Sequence, residues 1–445
     1  MKIVAGAVLF SLASVAAASN FVGGGATLPA FGYVGASSSS ASLGNPLVPT
    51  AGTLFGVYAA NSGNTVTYCP TGSGAGKRIL AGNAPTVEAA NGLCLDTAPN
   101  VAGFRATSGA AITQAAFAGS DAPMSLAEVA NYKTGHASLP EQFPAVAGAI
   151  AIAFNKSGVS SLSLSEAKIC AVFSGQITTW DELTAGAATG PIHIVYRGDG
   201  SGTSFSFLNH LSAVCGLSSN VLAGKTAATL FKTNQTFATG VSFSNGVDPT
   251  YFSKYNAPVS QSGNGGVSDY IKANDGTLGY AEAAYSIPTP GKFASVVNTV
   301  AGGSAINPSL GFGTNAVKVQ VQFSKAIADT VDTNGRPTLV ALPTANATDC
   351  VAVVDPSDYA NPATGYPILA VTYLLGNQAG NGSDAAAIRT LLGSPYSNAP
   401  NRGSVTKIGR IATGYAWLAD TVANTVLDST NATTGVQARI NSCIN

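Results

Sequence analysis

The stretch Arg197-Gly-Asp-Gly-Ser-Gly-Thr203 gathers one guanidinium, two hydroxyls and several amides unencumbered by side chains. Backbone N–H groups in a Gly-rich turn can converge on one anion, and a helix that follows adds its positive end. Arg197 supplies a fork that matches tetrahedral oxyanions. Asp199 cannot touch an anion directly, but it can hold the Arg197 guanidinium in place. The stretch reads as an oxyanion seat. The other reading is a surface turn that opens an ordinary helix.

Three further Gly/Ser/Thr turns have the same character: Gly23-Gly-Gly-Ala-Thr-Leu-Pro29, Thr71-Gly-Ser-Gly-Ala-Gly-Lys77 and Phe117-Ala-Gly-Ser-Asp-Ala-Pro123. Each offers backbone N–H groups beside a hydroxyl. Asp121 narrows the choice of anion. A carboxylate in an anion site repels its ligand unless the ligand carries a proton. Phosphate carries one at neutral pH and sulfate does not. A site built to bond a ligand hydroxyl can reject an analogue lacking it by about 10⁴ or more. The alternative role for Asp121 is to cap a helix over Met124–Tyr132.

The elements that must position these turns read as an α/β alternation. Thr65–Tyr68, Ala147–Phe154 and Ile192–Tyr196 are strand candidates, and Leu164–Phe173 and Ser204–Val214 are helix candidates. Phe117–Pro123 is expected to follow a helix. Gly35–Gly63 is rich in Ser, Ala and Gly and reads as an inserted loop or weak hairpin. Ala84–Ser108 reads as a second excursion, and Asn245–Gly266 and Ala301–Gly313 as loop-rich.

The 445 residues favour two lobes or domains. Apolar residues make up 46% and charged residues 9%, against roughly 25% charged in typical soluble domains. Lys plus Arg and Asp plus Glu each number 21, so there is no basic excess for a nucleic-acid partner. Met1–Ala18 has the pattern of a secretory signal peptide: Lys2, an apolar stretch, then Ala16-Ala17-Ala18. Its apolar part is too short to span a bilayer. Cys69, Cys94, Cys170, Cys215, Cys350 and Cys443 then favour disulfides, with sequential pairing expected. A metal site is the weaker reading, because no C-x-x-C pair occurs and His136, His193 and His210 lie far apart in sequence. No G-x-S-x-G elbow occurs, which counts against a serine hydrolase.

Seven segments carry a resemblance to a known family. They are Gly25-Ala-Thr-Leu-Pro29, Gly119-Ser-Asp-Ala-Pro-Met-Ser125, Phe143–Gly148, Val172–Asp181, Arg197–Phe205, Gly276–Tyr280 and Tyr366-Pro-Ile368. In order and spacing the chain resembles the phosphate-binding proteins of phosphate ABC transporters, including the secreted DING-type relatives. The resemblance implies a two-lobed α/β fold of the periplasmic-binding-protein type II, with crossings near Gly148–Asn155 and Gly279–Ile287 and phosphate in the cleft between the lobes. The implied division is a signal peptide at 1–18, lobe one at 19–148 and 289–445, with insertions near 35–63 and 84–108, and lobe two at 149–288.

Residue by residue, the resemblance implies that Thr27 offers its hydroxyl and N–H, and Leu28, where the family usually has Phe, its N–H. Ser73 donates, although its turn departs from the usual double-Ser pattern. Asp121 accepts the ligand proton. Arg197 supplies the cation, braced by Asp199, and Ser201, Gly202 and Thr203 close the shell. The implied role is non-enzymatic capture of inorganic phosphate for an ABC permease by an exported periplasmic or extracellular protein, with no cofactor. Two other roles stand beside it: a secreted structural or adhesive protein that self-associates, favoured by the low charge, and a phosphatase.

Overall fold

The computed structural model describes residues 18–35, 46–82, 94–97, 101–104, 115–184, 186, 188–228, 231–241, 254–286, 292–300, 302–310, 321–343, 350–396, 402–408, 414–418 and 435–445. The signal-peptide segment up to residue 17 and most of the 84–108 excursion lie outside these residues. Among the described residues a ten-stranded mixed sheet organises the molecule. Its strands, in chain order, are β1 Asn20–Gly25, β2 Thr65–Cys69, β3 Phe117–Ser120, β4 Pro140–Asn155, β5 His193–Arg197, β6 Val259–Gln261, β7 Thr277–Glu282, β8 Lys292–Phe293, β9 Leu369–Asn377 and β10 Tyr415–Trp417. The spatial order is β2-β1-β3-β9-β4-β7-β5-β6, with β8 and β10 also on β4.

β4 ties the sheet together. Its apolar run is buried at every position but the last, as expected of a strand covered on both faces. The strand is longer than the Ala147–Phe154 expectation. Pro140–Ala149 pairs antiparallel with β9, and Ile150–Asn155 pairs antiparallel with β7. One continuous strand therefore serves both halves of the sheet. In the first half β1 lies parallel to β2 and β3. In the second half β5 lies parallel to β7 and β6. The chain stays with the second half beyond residue 288. β8 pairs with Phe154 and Ala153 of β4, and Ser295–Val297 pairs with Ser163–Ser165.

The helices include α1 Ala30–Val34, α2 Leu54–Ser62, α3 Ser73–Leu80, α4 Leu126–Gly135, α5 Glu166–Phe173, α6 Gly202–Val214 and α7 Gly263–Ala273. α2 occupies the last part of the stretch expected as a loop or weak hairpin over Gly35–Gly63, of which residues 36–45 lie outside the described residues. Thr53 caps it by accepting from the Gly56 N–H at 3.1 Å. Its Phe55 packs 4.9 Å from Tyr33 and 5.0 Å from Phe117, ring centre to ring centre. Burial of that face outweighs the weak helix signal of a segment containing Gly56. Phe117–Ser120, expected as part of a turn, is itself a strand whose four residues are all buried; residues 105–114, which bear on the helix expected before it, lie outside the described residues. The Asn245–Gly266 region is not all loop, since it contains β6 and the start of α7. In the second half Phe207 of α6 stacks 4.6 Å from Tyr280 of β7 and meets Phe173 of α5 edge-to-face at 4.8 Å.

Three disulfides join Cys69–Cys94, Cys170–Cys215 and Cys350–Cys443, the sequential pairing, with Cα separations of 5.3, 5.3 and 5.7 Å. Among the described residues no helix is long and apolar enough to cross a membrane. The Cys350–Cys443 bridge spans 93 residues, the longest of the three loops. Replacing both its cysteines by Ser is expected to lower the unfolding free energy by about 2–5 kcal/mol through the entropy returned to the unfolded chain. Denaturant unfolding measures this, and an unchanged midpoint would show that the bridge does not constrain the unfolded state.

Candidate anion-binding site

The four Gly-rich turns lie at the carboxyl ends of parallel strands, where open α/β sheets place their ligand sites. β1 leads to Thr27, β2 to Ser73, β3 to Asp121 and β5 to Arg197. Ser73 and Gly202 are the first residues of α3 and α6, so the positive ends of both helices are directed at the same place.

Contacts join most of the expected site residues into one network, and Ser201 adjoins it in sequence through Gly202. The Asp121 N–H donates to Ser73 Oγ at 3.0 Å. Thr372 of β9 donates to Asp121 Oδ1 at 2.7 Å. A methyl group on Gly202 would stand 2.5 Å from both Asp121 Cβ and Ser73 Oγ, so only Gly allows α6 to come this close. Gly72 has φ of +95°, and a side chain there would meet Asp199 Oδ2 at 2.5 Å. The Gly74 N–H donates to Gly200 O at 2.9 Å. Leu28, fully buried, bonds Asp121 through its backbone.

Arg197 is buried and forks onto Asp199, with Nε 2.6 Å from Oδ1 and Nη2 on Oδ2. Asp199 also accepts from the Gly263 N–H at 3.1 Å. The brace expected for Arg197 is thus present as a bidentate pair. The remaining Arg197 nitrogen, Nη1, donates to Thr203 Oγ1 at 3.4 Å.

The four hydroxyls have a common arrangement. Ser73 accepts from Asp121 N–H, and Ser201 accepts from Ser204 N–H at 3.0 Å. Thr27 accepts from Asn264 N–H at 3.2 Å, and Thr203 accepts from Asn264 Nδ2 at 3.1 Å. A hydroxyl has one proton to give and two lone pairs to fill. Thr203 accepts a second N–H, from Arg197, so its proton is the function left to offer, while the Ser73 hydroxyl also bonds the Asp121 carboxyl. The wall is therefore rich in donors, and Asp121 is its acceptor.

Burial pushes the Asp121 carboxyl up to about 7. Thr372, the Arg197 charge, Ser73 and the Leu28 backbone each pull it back down. Desolvation wins because the group is 1% exposed. Near neutral pH this acid can hold or release a proton, a property that suits a ligand carrying one.

Neighbouring residues are engaged elsewhere. The Ser120 hydroxyl donates to Ala122 O at 2.6 Å within its own turn. Lys77 pairs with Glu128 at 2.6 Å. Ser125, not Asp121, caps α4, in a reciprocal box with Glu128. The three histidines have unrelated surroundings: His136 stacks on Tyr132, His193 meets Asn256 O, and His210 meets Ala360 O. Among the described residues no group of three His, Cys, Asp or Glu is placed to hold a metal.

Two residues of the network are absent from the sequence-based expectations. Thr372 is a hydroxyl in the otherwise apolar, buried run Leu369–Leu375, and such a polar residue must find a partner. Asn264 lies in Ser262-Gly-Asn-Gly-Gly266, one more Gly-rich turn after a β-rich run, within the region expected to be loop-rich.

A family model for a PBP superfamily domain matches residues 34–389. The chain is 27% identical over 403 residues to alkaline phosphatase L of Pseudomonas aeruginosa, covering 89% of this chain and 85% of that protein. It is 30% identical over 299 residues to a phosphate-binding protein from an unknown prokaryotic organism, covering 64% of this chain and 73% of the relative. A solved structure of a high affinity periplasmic phosphate-binding protein (PfluDING), bound with phosphate, matches with a TM-score of 0.58 at 25% identity, over 96% of this chain and 99% of that one. This chain therefore belongs to the PBP superfamily and has its two-lobed α/β fold.

Proposed function

We propose that the protein captures inorganic phosphate in the cleft between its lobes. The observation that carries this reading is the buried Asp121 carboxyl set in a wall of donors. Thr27, Leu28, Ser73, Ser201, Gly202 and Thr203 offer N–H and O–H groups to the phosphate oxygens, Arg197 offers positive charge, and Asp121 takes the bond from the phosphate O–H. Asp199 holds the guanidinium. Lobe one supplies Thr27, Leu28, Ser73 and Asp121, and lobe two supplies Arg197 to Thr203. Contacts such as Gly202 on Asp121 then exist when the lobes are together, and phosphate favours that state by touching both. The division at residue 148 rests on the change of partner along β4, and the pairing of Lys292–Phe293 and Ser295–Val297 extends lobe two to about Val297. Export fits three disulfides, which persist in oxidising compartments. Delivery to an ABC permease is the role that relatives named phosphate-binding proteins favour.

A second reading, phosphatase activity, is favoured by the relatives named alkaline phosphatase L and by Ser73 being hydrogen-bonded to an acid near neutrality. Phosphate release from a simple phosphomonoester by purified protein, lost in Asp121→Ala, would replace binding by turnover.

Calorimetry tests the main reading. Phosphate is expected to bind at pH 8 with excess sulfate ineffective, because sulfate brings no proton to the ionised Asp121. Below pH 7 a protonated Asp121 can donate to sulfate, so competition is expected to grow. Equal affinity for the two anions at pH 8 would sink this assignment. Arg197→Ala removes the cation and leaves Asp199 buried without its partner; affinity is expected to fall at least about 30-fold, in line with losses of 2–5 kcal/mol for such truncations. An unchanged titration would show that the seat is elsewhere.

The raised pKa of Asp121 also has a sign for stability. Its folded value of about 7 exceeds the unfolded value of roughly 3.9, so between these the folded state holds a proton that the unfolded state has lost. Asp121 therefore subtracts stability as pH rises from about 4 to about 7. In phosphate-free buffer, Asp121→Asn is expected to gain stability relative to the unmodified chain across that window, by up to about 4 kcal/mol. Melting curves that shift in parallel at all pH values would contradict this.

A further inference from the structure

We propose that Asn264 is a positioning residue that fixes the hydroxyl proton of Thr203 on the ligand, while its backbone N–H holds the Thr27 hydroxyl in place, and thereby dictates which ligand oxygen carries the proton. This inference rests on the phosphate reading. Asn264 is fully buried in the first turn of α7. The N–H groups of a first helical turn have no partner within the helix. Here the Asn264 N–H donates to Thr27 Oγ1 in the other lobe.

The side chain cannot be flipped. Its Oδ1 accepts from the Glu282 N–H at 3.2 Å, and a backbone N–H can meet only the oxygen end of the amide. The Nδ2 end is thereby directed at Thr203 Oγ1, 3.1 Å away. Thr203 also receives Arg197 Nη1 at 3.4 Å, so both its lone pairs are filled and its proton must leave the protein network. Thr27 Oγ1 receives one N–H, from the main chain of Asn264, which fills one of its two lone pairs. One asparagine thus commits the Thr203 hydroxyl to donation and holds the Thr27 hydroxyl, from the other lobe, beside it. An oxygen facing Thr203 must be unprotonated. The ligand proton is driven to the remaining acceptor, Asp121.

A double-mutant cycle with Thr203→Val, read as phosphate affinity by calorimetry, tests this. Asn264→Ala is expected to weaken phosphate about 10-fold in the unmodified chain and less than 2-fold in Thr203→Val, because the side chain acts through that hydroxyl. Equal losses in both backgrounds, as a purely structural role would produce, overturn the proposal. Asn264→Asp is the second variant. It keeps an acceptor for Glu282 N–H and reverses the bond at Thr203, which then donates to the carboxylate. A loss of at least 10-fold is expected, and unchanged affinity in folded Asn264→Asp overturns the proposal by itself. Failure of the unmodified chain to bind phosphate would instead overturn the functional reading. Binding by the unmodified chain with no effect of either Asn264 variant would remove this role and leave that reading standing.

Discussion

Asp121 is a carboxyl group withdrawn from water, and the site is arranged around the consequence. An isolated ionised carboxylate in a protein interior is costly, so the group either neutralises or finds compensation. Both occur here. Burial lifts its pKa toward neutrality, while Thr372, Ser73, the Leu28 backbone and the Arg197 charge oppose the lift. The balance leaves an acid able to receive a hydrogen bond near neutral pH. A fully solvated aspartate would be ionised but screened, and a fully isolated one would stay protonated.

Maintaining that balance needs parts from distant segments. Thr372 comes from β9, Ser73 from the turn after β2, and Arg197 from the end of β5. β4 holds these together by pairing with β9 over one half of its length and β7 over the other. The glycines serve the same end. Gly202 lets α6 approach Asp121, and Gly72 adopts a positive φ beside Asp199. A side chain at either position would hold the two walls apart.

The donor-rich wall follows from simple accounting. Each hydroxyl oxygen accepts a protein N–H, and Thr203, which accepts two, has only its proton left for an anion. The Arg197 charge is balanced by Asp199, which limits the cost of burying it and keeps the guanidinium in one orientation. Preorganisation of this kind spares the ligand the work of ordering the site.

Much of this was legible in the residues themselves. Gly-rich turns with Ser, Thr and one Arg offered an anion site beside the reading as plain surface turns, because short side chains and bare amides serve both. Apolar runs such as Ala147–Phe154 announce buried strands, and the cysteine count announces disulfides. The α2 helix was not legible, since Leu54–Ser62 has little intrinsic helix preference and takes its form from the packing of Phe55 on Tyr33 and Phe117. Asn264 and Thr372 were not legible either, because a polar residue in a loop or strand shows its purpose only through its partners. By itself the sequence determined the local chemistry: which atoms can donate, which can accept, and where the backbone can turn. Only the tertiary structure decided that Asp121 is dry, that Asn264 bonds two threonines far apart in the chain, and that four turns from distant segments share one place. Burial and convergence depend on contacts between segments hundreds of residues apart, and no local pattern encodes them.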